Sequence, residues 1–200
     1  MMIMCMNNME IINLFSIPIL EKTFDFDLAE IQYDCYCKRE IDCGKNVSNV
    51  NGWQSSRFKV DNSPLDYFFD EILVSVKEFA DRISLKSDLI IQTAWINING
   101  PGAYNQVHDH PSCILSGVFY VKAPEDCGNI EFRHPSLSKM ERDWSHVAEE
   151  NNKYTSHVWR FIPKENTAYI FPSWLDHQVF ANNSGEDRIS ISFNISKSYK

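Results

Sequence analysis

The 200-residue sequence predicts a mainly β fold, a double-stranded β-helix or jelly roll flanked by N-terminal helices. Two observations carry that prediction. From Leu89 onward, short runs rich in Ile, Val, Phe, Tyr and Trp alternate with clusters of Asn, Gly, Pro and Asp, which reads as strands and turns. Before Leu89, apolar residues recur instead at helical spacing. Eight short strands after two helices suit a double-sheet jelly roll with the helices on one outer face.

Taken in order, Ile11 to Leu20 reads as an extended edge segment, because Pro18 cannot donate to a sheet ladder. Helices follow around Asp25 to Cys37 and from Pro64 to Ser84. The second has one apolar stripe of Leu65, Phe68, Phe69, Ile72, Val76, Phe79, Ala80 and Ile83, with Ser63 as a cap and Pro64 in the first turn. Asn46 to Gln54, polar and containing Gly52, reads as a loop. The eight strand runs are Leu89–Ile96, Ala103–His110, Ile114–Val121, Asn129–Phe132, Val158–Phe161, Thr167–Phe171, Gln178–Ala181 and Arg188–Ile195. Ser136 to Ser156 is too long and polar for an ordinary connection, and is either a functional lid or an insertion with some local helix. The length suits one domain over residues 1–200, with a helical part at 21–86 and a jelly-roll core at 89–196.

The net charge of -8 provides no general field to gather phosphates, so nucleic acid is disfavoured as a partner. The apolar start Met1–Met6 lacks a basic lead, a long apolar core and a cleavage site, so the expectation is a cytoplasmic protein without a membrane partner. The six cysteines form no C-x-x-C pair, which predicts free thiols.

Chemistry concentrates in three places. His108 and His110 flank Asp109, and on a strand alternate side chains share a face, so the two imidazoles can grip one metal while Asp109 points away. His177 is the best-placed distant third ligand, and three ligands leave coordination positions open, as in a catalytic site. His134, His146 and His157 have no partners at ligand spacing and stay outside the site. Finally, Arg188, Ser190 and Ser192 share a strand face, and a guanidinium beside hydroxyls suits a carboxylate.

These motifs occur in a familiar order. H-x-H is followed by Ser116-Gly117-Val118-Phe119-Tyr120-Val121, Gly128-Asn129-Ile130-Glu131-Phe132, Phe171-Pro172-Ser173 with His177, and Asp187-Arg188-Ile189-Ser190-Ile191-Ser192-Phe193-Asn194. The series resembles the 2-oxoglutarate/Fe(II) oxygenase superfamily, and within it a family found in bacteria and phages that is related to prolyl hydroxylases. Leu14–Ile19 and Ser48–Ser55 extend the likeness over nearly the whole chain. The resemblance implies Fe(II), 2-oxoglutarate and O2 as cofactors, and hydroxylation as the reaction. It implies His108 and His177 as metal ligands, and Arg188 and Tyr120 on the far carboxylate of 2-oxoglutarate. Asn97 and Asn99 resemble a strand lining the cosubstrate pocket, and Ser190 joins Arg188 there.

One departure stands out. The superfamily's second ligand is a carboxylate, whereas this chain has His110, with Asp109 available only if a bulge turns it inward. His110 therefore keeps open a cupin-like three-histidine dioxygenase that uses no 2-oxoglutarate, beside a non-enzymatic jelly-roll binding module. The expected partner is a small-molecule or peptide substrate, and a homodimer is allowed. Trp95, Trp174, Phe119 and Phe171 are candidate walls of the site.

Overall fold

The computed structural model of the chain describes residues 9–60, 65–85 and 88–198. Its elements, in order, are β1 (Leu20–Thr23), α1 (Leu28–Ile41), β2 (Asn49–Val50), β3 (Trp53–Gln54), α2 (Asp66–Arg82), β4 (Leu89–Asn99), β5 (Tyr104–His108), β6 (Leu115–Lys122), β7 (Ile130–Arg133), α3 (Leu137–Trp144), β8 (Val158–Phe161), β9 (Thr167–Pro172), β10 (His177–Val179) and β11 (Arg188–Lys197). They form two antiparallel sheets, ordered β1-β9-β6-β11-β4-β3 and β2-β5-β10-β7-β8. This is the double-stranded β-helix. No helix among the described residues is long and apolar enough to cross a membrane.

Alternation along β11 explains how the layers stack. Ile189, Ile191, Phe193 and Ile195 have no exposed surface and join Ile31 of α1 and Phe68, Phe69, Ile72 and Val76 of α2 in one core. The intervening residues must then face the other sheet. There, Val118 and Tyr120 of β6 and Tyr169 and Phe171 of β9 meet Ile130 and Phe132 of β7 in a second, smaller core. The helices thus seal the outer face of the six-stranded sheet and leave its inner face for other chemistry.

The helices follow from local rules. Asp27 caps α1 by accepting from the amides of Ala29 and Glu30 at 3.0 and 3.4 Å. α2 buries Phe68, Phe69, Ile72, Val76, Phe79 and Ala80 of the expected stripe, with Leu65 buried just before its first turn and Ile83 partly covered just after its last. The expected cap Ser63 and first-turn Pro64 lie outside the described residues, as does Cys5. The other five cysteines are free thiols.

Three expectations need correction. The Ile11–Leu20 segment enters the sheet only at its last residue, since β1 spans Leu20–Thr23 and pairs with β9 as an edge strand. Asn46–Gln54 is not simply a loop, because β2 pairs with β5 and β3 with β4, placing its two ends on different sheets. Strands of two residues are too short to carry a periodic signal. The run expected at Gln178–Ala181 is instead β10, His177–Val179. The polar 136–156 segment does contain a local helix, α3, with no buried residue.

Gly117 sits opposite Phe193, and a Cβ there would fall 2.3 Å from a ring carbon that has no exposed surface to swing into. Gly117→Ala should therefore cost about 1–3 kcal/mol through overpacking. Denaturant unfolding should show a lower midpoint with an unchanged slope. A midpoint equal to wild type would mean that the Phe193 ring relaxes freely.

Candidate metal centre

Cross-strand register brings the distant histidine home. His177 opens β10 directly opposite His108, the last residue of β5. His110 lies beyond the end of β5, so strand alternation alone does not place it. Its amide donates to the carbonyl of Ser173 at 2.8 Å, which continues the alignment. The three imidazoles offer nitrogens within 4.8 Å of one another. Their ring centroids are 4.3 Å apart for His108–His177, 5.0 Å for His108–His110 and 5.1 Å for His110–His177. Asp109, between them in sequence, is exposed and no part of the cluster.

The tautomers are set by the backbone. His108 Nδ1 lies 2.7 Å from the Gln106 carbonyl, and His177 Nδ1 lies 2.9 Å from the Leu175 carbonyl. A carbonyl only accepts, so each ring donates through Nδ1 and keeps a bare lone pair on Nε2. Burial holds all three rings neutral. It lowers His108 despite the opposing pull of the Gln106 carbonyl, Asp109 and Asp176. It takes His110 down to about 3, with electrostatic contributions from His108 and Arg57 in the same direction, and it takes His177 well below the usual imidazole range. Three neutral imidazoles with free lone pairs are suitable donors for Fe(II).

A narrow cleft with a cavity volume of about 30 Å³ opens beside them, lined by Trp95, Asn97, Asn105, Phe171, Ser190 and Ser192 among others. Asn97 pairs in register with Ser190, and Asn99 with Arg188, so both asparagines face inward. Tyr120 lies opposite Ser190 on the other side of β11. Arg188 is one inward position further along, 2% exposed, and its Nη1 donates to the carbonyls of Cys127, Gly128 and Phe180. No acid pairs with it among the described residues. Its Nη2, the Tyr120 hydroxyl and the side-chain oxygens of Asn97 and Asn99 are buried without a partner. Burial pulls the Arg188 pKa down and pushes that of Tyr120 up. A buried cation with Nη2 still unpartnered, beside a buried hydroxyl, is an incomplete receptor that an anion completes.

All eight residues expected at the site therefore lie on the inward side. Two of the expected walls do not. Phe119 belongs to the helix-covered core because it falls on the odd face of β6, and Trp174 is 54% exposed. Asn105 is an addition. It lies three residues before His108, the wrong spacing for a shared strand face, but the β10–β5 ladder shifts by one residue between His177 and Val179 and brings it in.

A model of the 2OG-Fe(II) oxygenase family matches residues 93–194. No curated protein matches the chain in sequence. Among solved structures, a Pseudomonas putida prolyl-4-hydroxylase is 11% identical with a TM-score of 0.65, covering 92% of this chain and 95% of that chain. HygX from Streptomyces hygroscopicus, with nickel and 2-oxoglutarate bound, is 10% identical at a TM-score of 0.63, over 92% and 84%. SnoK, a non-heme alpha ketoglutarate dependent carbocyclase from nogalamycin biosynthesis, is 11% identical at 0.63, over 90% and 80%. At these identities the likeness is one of fold.

The depressed histidines also predict an acid dependence. Between the folded and unfolded pKa values, the unfolded chain binds protons that the folded chain does not, so stability falls as pH falls through that window. For His110 the window runs from the unfolded value of about 6.5 down to about 3. Metal-free protein should lose stability below about pH 6.5, at a slope approaching ~1.4 kcal/mol per pH unit for that residue. Urea titrations at stepped pH should show a shallower loss for His110→Gln. An identical slope in the two proteins would mean that His110 is not buried neutral.

Proposed function

Since the chain belongs to the 2OG-Fe(II) oxygenase family and its cofactors are Fe(II), 2-oxoglutarate and O2, we propose that it hydroxylates a C–H bond of a small-molecule or peptide substrate. His108 and His177 would hold the metal through Nε2, with His110 as the third ligand. Arg188 and Tyr120 hold the far carboxylate of 2-oxoglutarate, with Ser190, Asn97 and Asn99 completing the pocket. The observation that carries this reading is the buried Arg188, which lacks a counter-anion on the same inward face that gathers three neutral imidazoles. The Pseudomonas putida neighbour is a prolyl-4-hydroxylase, which supports hydroxylation as the outcome.

Bound Fe(II), with 2-oxoglutarate and O2, supplies the oxidising power for hydroxylation and yields succinate and carbon dioxide. The chain's own work is positional. Three protein ligands leave coordination positions open for cosubstrate and oxygen. Arg188 offers the unpartnered Nη2 of a fixed guanidinium to a carboxylate at one distance from the metal. Trp95 and Phe171 supply apolar walls that limit water in the cleft. His110 in place of a carboxylate leaves the metal one unit more positive than an H-x-D set does.

Fe(II) should bind wild type at one ion per chain and be lost in His108→Ala and in His177→Ala. A folded variant that keeps wild-type affinity removes that residue from the ligand set. Arg188→Ala should keep the metal but weaken 2-oxoglutarate by a hundredfold or more, since breaking a buried charge-assisted pair costs on the order of 3–5 kcal/mol. Anaerobic titration of the metal-to-ligand absorbance band measures both affinities. Equal cosubstrate affinity in variant and wild type would end the role assigned to Arg188 and revive a three-histidine enzyme without 2-oxoglutarate.

A further inference from the structure

An irregularity in the backbone turns one cation onto Trp95, a residue that lines the cleft. β3 pairs with β4 as Trp53 with Ile98 and Gln54 with Asn97, and a regular ladder would next bring Arg57 opposite Ala94. Instead Phe58 bridges Ala94, with backbone hydrogen bonds of 2.9 Å in both directions. One extra residue therefore lies between Gln54 and Phe58. The amide of Ile96 is satisfied at this bulge by Ser55 Oγ, at 2.9 Å.

An extra residue exchanges the two faces of a strand. Here it sends Phe58 into the helix-covered core, with its ring 6.2 Å from that of Phe69. It sends Arg57 to the other side, with its guanidinium 5.5 Å from the Trp95 ring centroid. Trp95 lines the cleft, and its own ring is 5.5 Å from that of His110. Arg57 is exposed and has no hydrogen bond or ion pair among the described residues, whereas Arg39, Arg133, Arg142 and Arg160 each face an acid. Stacking on Trp95 restrains the guanidinium while leaving its edge donors free for a planar anion.

We propose that Arg57 is a specificity residue that binds an anionic group, a carboxylate or a phosphate, on the substrate and holds its target carbon toward the three histidines. This rests on the oxygenase reading above, in which Arg188 is already committed to the cosubstrate. The enzyme then has two cations for two anions, one deep for 2-oxoglutarate and one at the rim for the substrate.

The test uses protein loaded with Mn(II) and saturating 2-oxoglutarate, so that the deep site is filled. Paramagnetic relaxation by the metal is followed for carbon-13 acetate, for inorganic phosphate and for acetamide as a neutral control. Saturable relaxation should appear for acetate or phosphate and be absent for acetamide, and the stronger anion identifies the substrate's group. Arg57→Gln should weaken that binding by about tenfold or more, as expected for losing a charge-assisted hydrogen-bonding group. Arg57→Lys should restore part of it, and neither variant should change Mn(II) or 2-oxoglutarate affinity. The proposal is overturned if neither anion gives saturable relaxation, if Arg57→Gln matches wild type, or if that variant loses 2-oxoglutarate. Failure of wild type to bind Mn(II) or 2-oxoglutarate in the loading titrations would sink the oxygenase reading itself and this inference with it.

Discussion

Along β11, Ile189, Ile191, Phe193 and Ile195 are sealed beneath α1 and α2, while the residues between them, Arg188, Ser190, Ser192 and Asn194, face the space between the sheets. The apolar half anchors the six-stranded sheet, since β11 is hydrogen-bonded to β4 on one side and β6 on the other. Because that half supplies the burial, the inward half is free to be polar. Asn97 and Asn99 from β4 and Tyr120 from β6 then fall beside Arg188 and Ser190 by register alone. A site with four orphaned polar atoms is costly by itself. It is supported because the outer face of the same strands is packed without exposure.

The opposite wall is held by a different device. Glu131 on β7, 2% exposed, accepts from Arg160 at 2.7 Å, from Gln178 at 2.7 Å and from Arg133 at 3.3 Å. Burial alone would raise its pKa, but these bonds outweigh burial and hold the carboxyl below its usual range. Gln178 is the neighbour of His177, so this cluster ties down β10 on one face while the other presents the ligand. Tautomer and position of His177 are thus controlled separately, the first by the Leu175 carbonyl and the second by the β7–β10–β5 ladder.

Where the reading of the sequence succeeded, one signal was long or repeated. The α2 stripe covers about five turns, and the strands from β4 to β11 are bounded by turn residues and rich in branched side chains. The failures share a cause. β2 and β3 have two residues each, and Asn105 and Arg57 sit at register shifts, where spacing along the chain no longer reports which face a side chain occupies. Phe119 was misplaced for a simpler reason, since an aromatic residue on a buried strand looks the same whichever side it faces.

The sequence by itself determined the fold class and the order of the longer elements, and it marked out the three histidines and Arg188 as candidates, because these rest on local periodicity and on residue chemistry. It also showed His110 where a carboxylate is usual. Tertiary structure decided what lies across from what: His177 opposite His108, Arg188 opposite Asn99 without a counter-anion, and Asp109 turned to solvent. Register and desolvation are properties of pairs of strands and of enclosed volumes. A linear chain carries the groups, but only closure of the two sheets removes their water, neutralises the imidazoles and leaves a buried cation needing an anion.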